Sequence, residues 1–323
     1  MSRLFRFGCQ AYSPNNGTEW FDTARKAEDL GYSTLHVADH YFGPGPAMEE
    51  ASHPLQTVAC IPAMMAAATT TESIKIGSRV ICVDYHHPVV LAKELATIDL
   101  LSDGRLEAGF GAGWVASEYT AMGIPMDRPG VRIDRMVEVV EMSRSFFAGE
   151  VLDVEGEHVT AKDMQAVPSS PQKAGPRIMI GGGSARVLRT AGRLADIVSI
   201  NFDNSAGKIG SHGIGSGTAD GTAQKLAWIR EGAGDRFDEL EVEIGAYFTT
   251  VTDQSAATTE TMAKGLGLTT EALASHPHTL IGSIDEICEK LEQRRDELGI
   301  SYVTVGVSAI EDFAPVVERM TGR

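Results

Sequence analysis

Cysteine is scarce in this chain, and the four present, Cys9, Cys60, Cys82 and Cys288, form no CxxC pair and stand near no histidine at zinc-ligand spacing. That excludes a disulfide scaffold and a cysteine-based metal site, so the thiols read as small buried hydrophobes. Long apolar runs are missing as well. No stretch approaches the roughly 18 apolar residues needed to cross a bilayer, and no basic segment leads into an apolar one at the start. The expectation is a cytoplasmic protein. Positive charge is the third shortage: 28 Lys and Arg face 44 Asp and Glu, a formal net charge of −16. Such a surface repels phosphate backbones and anionic membranes, which disfavours nucleic acid and lipid as partners and leaves a small-molecule substrate. A local anion pocket stays possible, because a helix N-terminus is positive whatever the net charge.

What is present suits a large globular core. Of 323 residues 43% are hydrophobic and 22% charged, and α/β barrels reach this length as one domain, so residues 1–323 are taken as a single unit. Apolar β-rich runs alternate eight times with amphipathic segments, at 4–9, 34–38, 74–80, 105–110, 177–181, 196–200, 242–250 and 302–307. A doubly wound sheet alternates in the same way. The count of eight, and the polar residues just after the runs, favour a closed (β/α)8 (TIM) barrel with its chemistry at the strand C-termini.

The helices carry their own punctuation. Ser283-Ile284-Asp285-Glu286 is a capping box opening a helix with Ile284, Ile287, Cys288, Leu291 and Leu298 on one face, closed by Gly299. Trp20, Phe21, Ala24, Ala27 and Leu30 form a similar stripe ending at Gly31. Two insertions break the alternation. Residues 149–176 are polar and suggest a hairpin, whereas 204–221 hold six glycines and read as a flexible lid without regular structure.

Four motifs could carry chemistry. Asp39-His40 follows the second strand, where the imidazole could exchange a proton near neutral pH and the adjacent carboxylate could orient it. His86-His87-Pro88 follows the third strand. Its adjacent histidines diverge and no further ligands stand at metal spacing, so no metal is expected. Gly109-Phe110-Gly111-Ala112-Gly113-Trp114, with Ser117, Glu118 and Tyr119 beyond, follows the fourth strand and would let a backbone approach a flat ring. It lacks the spacing of a dinucleotide fingerprint, which disfavours a nicotinamide. Gly181-Gly182-Gly183-Ser184 opens a helix after the fifth strand and is the strongest phosphate signal, with Arg186 and Arg189 adding nearby charge.

In their order and spacing these residues resemble the bacterial luciferase-like superfamily, and specifically its F420-dependent oxidoreductases, over nearly the whole chain. The likeness rests on Ala38-Asp39-His40, Gly77-Ser78-Arg79-Val80, Gly111-Ala112-Gly113-Trp114 through Glu118, Gly181-Gly182-Gly183-Ser184, and Ile281-Gly282-Ser283 through Val307. The resemblance implies a deazaflavin in the barrel mouth, backed by a bulge on strand three with a cis bond at Arg79–Val80. It implies cofactor contacts from Asp39, Ser78, Arg79, Val80, Gly111, Ala112, Gly113, Trp114, Ser117 and Gly181 through Ser184. His40 and Asp39 would be catalytic, and the protein a homodimer. Hydride would pass between the deazaflavin C5 and a small substrate. One departure stands out: the sugar-phosphate dehydrogenases of this group carry a glutamate where Trp114 stands, and no lysine pair suits a sugar phosphate. Reduction of a more apolar enone, imine or dehydro-amino acid fits Trp114 and Tyr41 better. The alternatives are an FMNH2-dependent monooxygenase on the same barrel, a barrel that binds cofactor without catalysis, and a metal-dependent hydrolase.

Overall fold

The computed structural model describes residues 3–323. Eight parallel strands close a cylinder: β1 (Arg6–Gln10), β2 (Thr34–Val37), β3 (Lys75–Ser78), β4 (Leu106–Gly111), β5 (Arg177–Gly182), β6 (Ile197–Ile200), β7 (Glu241–Ala246) and β8 (Ile300–Gly306). Neighbours in sequence are neighbours in space, and β8 returns to β1 with Arg6 opposite Tyr302 and Gln10 opposite Gly306. That last pairing removes both sheet edges and decides against the open doubly wound sheet. Because every strand runs the same way, every strand's C-terminal exit lies on one rim.

The seven β-to-β connections carry the outer helices. Trp20, Ala24 and Ala27 are buried on the first of them, Gly17–Asp29, while Phe21 of the expected stripe is 38% exposed and lies off the packed face. The capping box is present on Ile284–Leu298, with Glu286 N–H donating to Ser283 Oγ at 3.3 Å and Ser283 N–H to Glu286 Oε2 at 2.7 Å. All four cysteines are buried free thiols.

Inside the cylinder the residues are charged as well as apolar. Near the strand N-termini Arg6 Nη1 meets Glu107 at 2.7 Å and Arg6 Nε meets Glu241 at 2.6 Å, with the Arg6 guanidinium 3.6 Å from the centre of the Tyr302 ring. Nearer the opposite rim Arg79 Nε donates to both oxygens of Glu243, at 3.0 and 3.1 Å. Each of these charges inside the cylinder meets its opposite, which is the condition under which charge is tolerated there.

The insertions differ from one another. Residues 149–176 contain the expected hairpin, Val151–Glu155 against Thr160–Gln165. The segment 204–221 is more ordered than its glycines suggest: it contains the helix Ser211–Gly215, and Ala219 begins the helix Ala219–Ala233. Its backbone is tied across the rim, with Ile209 N–H donating to Ala51 O at 2.9 Å and Ala116 N–H to Gly207 O at 3.3 Å. Tertiary hydrogen bonds supply the order that composition withholds. The expected strand 242–250 is likewise two elements, because the chain leaves the barrel at Tyr247 and Phe248–Val251 pairs in parallel with Thr279–Gly282 in a separate two-stranded sheet.

Candidate functional site

Strand β3 sets the floor of the mouth. It pairs with β4 through Gly77 and Glu107, then resumes as Ile81–Cys82 against Phe110 and Gly111 after slipping one residue, so residues 79 and 80 form a bulge. The Arg79–Val80 bond within it is cis. Val80 projects onto the neighbouring strands: a Cβ on Gly111 would lie 2.6 Å from its Cγ2, and one on Gly181 3.1 Å from its Cγ1. A Cβ on Gly109 would lie 1.9 Å from Ser78 O. Gly109 and Gly111 are therefore required by the bulge itself, while a Cβ on Gly113 would meet the Tyr119 hydroxyl and Cys82 Sγ; the sequence suggested that all three let a backbone approach a flat ring. Ser78 is fully buried and exchanges hydrogen bonds with Gly109, donating to its carbonyl at 2.9 Å and accepting from its N–H at 2.8 Å.

The Arg79 side chain turns into the cylinder. Besides Glu243 it donates to Gln10 Oε1 at 3.1 Å, to the Tyr247 hydroxyl at 3.1 Å from both Nη atoms, and to Asn201 Oδ1 at 3.3 Å. Burial opposes its charge, but Glu243 and Tyr247 outweigh that and raise its pKa further.

Residues 38–42 leave β2 at the same rim, and here the expected pairing of Asp39 with His40 does not form. Successive side chains on an extended segment point to opposite sides. Asp39 Oδ2 accepts from His86 Nε2 at 2.8 Å and from Cys82 N–H at 3.1 Å. Its other oxygen, Oδ1, is buried without a hydrogen-bond partner. His86 is thus an anchor for Asp39, and its neighbour His87 is exposed ahead of the helix Pro88–Leu101.

The carboxylate that orients His40 is Glu118. Its Oε2 lies 2.8 Å from His40 Nδ1, and it also accepts from the Tyr85 hydroxyl at 3.0 Å and from Tyr41 N–H at 2.5 Å. Burial works against its ionisation, but the hydrogen bonds from His40, Tyr41 and Tyr85 outweigh burial and hold the carboxyl below its usual range. Since a carboxylate only accepts, His40 carries its proton on Nδ1 and leaves Nε2 for exchange. Trp114 presents an edge to the His40 ring with centroids 6.0 Å apart, and Phe42 stacks at 5.8 Å. Phe42, Ala51 and Val115, with Met48 and Trp114, make a small apolar cap separate from the main core. Ser117 holds that cap together, donating to Ala47 O at 2.7 Å.

The glycine run ends β5. A Cβ on Gly183 would lie 2.1 Å from Phe202 O, so only glycine lets this turn pack against the exit of β6. Ser184 is the N-cap of the ten-residue helix Ala185–Leu194, and its hydroxyl makes no capping bond. The two arginines expected to add positive charge are engaged elsewhere: Arg186 pairs with Asp134 at 2.5 Å and Arg189 with Glu231 at 2.7 Å. A cation at this rim that meets no carboxylate is Arg132, which the sequence did not single out. It is buried, with Nε donating to Ala112 O at 3.1 Å and Nη1 to Asp127 O at 3.0 Å, and it meets no carboxylate among the described residues. Its helix, Pro129–Phe147, meets the Ser184 helix through Gly130 and Asp134, which both touch Arg186, while Arg132 lies on another face of that helix. Gly111 through Trp114 run from Arg132, bonded to Ala112 O, to His40, which Trp114 edges.

The structure thus gathers His40, Asp39, Val80, Gly111–Trp114 and Gly181–Ser184 at one rim and adds Glu118 and Arg132, while the Ser78, Ser117 and Arg79 side chains serve the scaffold. Glu118 was visible as part of a motif, but nothing in the sequence connected it to His40. Arg132 looks no different in sequence from Arg128 or Arg135.

Known proteins are similar to this chain. F420-dependent glucose-6-phosphate dehydrogenase of Nakamurella multipartita is 28% identical over 320 residues, spanning 98% of this chain and 86% of the relative. The Microbacterium testaceum protein of the same name is 30% identical over 198 residues, 61% of this chain and 56% of the relative. Among solved structures, the coenzyme F420-dependent tetrahydromethanopterin reductase of Methanopyrus kandleri superposes with a TM-score of 0.75 at 20% identity, covering 99% of this chain and all of that one. The long-chain alkane monooxygenase LadA reaches a TM-score of 0.76 at 14% identity, covering 100% and 93% of the two chains. These two likenesses bear on the fold. The model of the luciferase-like monooxygenase family matches residues 1–294, and the chain belongs to that family.

Proposed function

We propose that the protein is an F420-dependent oxidoreductase that reduces a small organic substrate, with His40 as its acid–base residue. The carrying observation is the set of unsatisfied groups at one rim: a buried carboxylate oxygen on Asp39 with no partner, a buried Arg132 guanidinium with no carboxylate, and an uncapped helix start at Ser184. An orphaned acceptor suits a ring N–H or hydroxyl, and an unpaired cation and an uncapped helix N-terminus each suit a phosphate. F420 has both kinds of group, so these residues fit it. The named dehydrogenase relatives, over 98% of the chain in one case, support the same choice.

When bound, F420 supplies a hydride carrier that performs two-electron transfer at carbon. The remaining work falls to the chain. Val80 and the backbone of Gly111 through Trp114 would support a flat ring, Asp39 would fix its edge, and Arg132 with Gly183 and Ser184 would hold the phosphate. Glu118 keeps the His40 Nδ1 proton in place, so His40 Nε2 gives or takes the proton that accompanies reduction. Trp114 and Phe42 keep water from the imidazole, and with Tyr41 they favour an apolar conjugated substrate over a sugar phosphate.

Titration of the purified protein with F420 and, separately, with FMN tests the reading through quenching of protein and cofactor fluorescence. Saturable binding of F420 and none of FMN is expected. Binding of FMN alone would replace this reading with a flavin-dependent monooxygenase. We also propose a homodimer. An apolar groove of about 500 Å³ lies between the helices Cys60–Thr70 and Pro88–Leu101, lined by Ile61, Met65, Val89, Val90 and Ile98. Sedimentation at micromolar concentration should give twice the chain mass. No helix among the described residues is long and apolar enough to cross a membrane.

A further inference from the structure

A second histidine lies against the first. The helix Pro46–Ala51 ends in a left-handed turn at Ser52, φ 50°, with Ser52 N–H bonded to Glu49 O at 3.1 Å and His53 N–H to Met48 O at 3.3 Å. A non-glycine residue rarely takes that conformation, and the double bond pattern is what holds it. The turn delivers His53 into the apolar cap, with its ring centre 4.0 Å from that of His40, 5.5 Å from Phe42 and 5.9 Å from Trp114.

The protonation pattern follows from the partners. His53 Nδ1 lies 2.8 Å from Pro54 O, and a carbonyl only accepts, so Nδ1 carries the hydrogen and Nε2 is bare in the neutral ring. Both imidazoles therefore present Nε2, and they lie too close to be charged together at low cost. Only His40 has a carboxylate.

We propose that His53 is a positioning residue of the acid–base site, a neutral imidazole that fixes the His40 ring and electrostatically couples to its protonation. The inference rests on the reading of His40 as the acid–base residue. The charged and titratable groups facing the pair are few. Glu118 faces His40 from the helix Ala116–Met122, Tyr85 reaches Glu118 from the turn Val83–Tyr85, and Tyr41 and the Asp39–His86 pair adjoin on the β2 exit. Phe42 and Trp114 do not titrate. Burial first, then the His40 charge, depress His53 to about 4, against weaker opposing effects from Pro54 O and Glu118. A second charge on the pair would set two imidazolium rings 4.0 Å apart, and Glu118 is placed to balance the one on His40.

The cofactor-free protein, labelled with ¹³C at histidine Cε1 and titrated by NMR from pH 4 to 9, tests the coupling. The variants H40N and H53F give the assignments. His53 should stay neutral until about pH 4, and in H53F the His40 curve should move to lower pH than in wild type, because phenylalanine solvates the adjacent imidazolium less well. H53K should lower it further by like-charge repulsion, which a packing role alone would not do. The acid limb of the pH–rate profile of the loaded enzyme should move in the same direction. Superimposable His40 curves in wild type, H53F and H53K would overturn the proposal, and so would a His53 that titrates near pH 6.5. The NMR result is independent of which cofactor binds, so it is read separately from the F420 titration.

Discussion

His40 Nδ1 lies 2.8 Å from Glu118 Oε2, across 78 residues of sequence. A carboxylate so placed fixes the tautomer and stabilises the imidazolium that forms during proton transfer. Replacing Glu118 by Gln keeps the shape and removes the charge, and it should lower turnover about 10²-fold with a smaller change in KM. His40→Ala should cost on the order of 10²–10⁴-fold. Steady-state kinetics with F420 would decide, and near-normal turnover in His40→Ala would remove it from the mechanism.

Arg132 and Asp39 should contribute to cofactor affinity at opposite ends. Arg132→Met should weaken F420 about 10-fold or more, yet leave unchanged the binding of a deazaflavin that lacks the phosphate tail. Asp39→Asn should weaken both ligands alike. Equal losses for the two ligands in Arg132→Met would show that this guanidinium does not meet the phosphate.

Stability should decline on the acid side from about pH 6.5. His36, His53 and His278 all have pKa values lowered from 6.5, with burial the first cause in each, and the neighbouring cations Arg79 and Arg6 add to it at His36. As pH falls through 6.5 the unfolded chain takes up these protons while the folded chain does not, so stability drops. For His53 the loss stops near pH 4, where the folded state is protonated as well. Glu107 acts lower down: burial opposes its charge, but Arg6 and Lys75 outweigh burial and hold it below 4.5, so its contribution is full above pH 4.5 and fades beneath it. Melting temperatures should therefore fall steadily between pH 6.5 and 4. A flat profile over that range would contradict the neutral buried histidines.

Gly109→Ala should destabilise the protein by about 3 kcal/mol, since the added carbon would meet the Ser78 carbonyl 1.9 Å away and backbone on both sides must move. Gly43→Ala, which meets nothing within 4 Å, is the control and should stay within about 0.5 kcal/mol. Denaturant unfolding of the two variants compares them directly.

The strands were legible because each is a short β-rich run with clear ends, and seven of the eight fall within about two residues of where the runs place them. The eighth, 242–250, overran because Tyr247 and the strand beyond it have the same apolar character as β7, and only the partner Thr279–Gly282 separates them. His40 was legible from its place after a strand. Its partner was not: Asp39 is adjacent in sequence, yet pleating sends the two side chains apart, and the true partner comes from the helix Ala116–Met122. Arg186 and Arg189 looked available beside the glycine run, because the carboxylates that occupy them lie 52 and 42 residues away.

By itself the sequence determined the alternation of strand and helix, the caps, the rim that bears the polar turns, and glycine at points where chains must approach closely. These follow from local pattern, which a chain carries without reference to its fold. The tertiary structure alone decided that the sheet closes, that Glu118 serves His40, that His53 covers it, and that Arg132, bonded to Ala112 O, meets no carboxylate among the described residues. Closure and pairing depend on which surfaces meet, and residues far apart in the chain become neighbours only once the cylinder is complete.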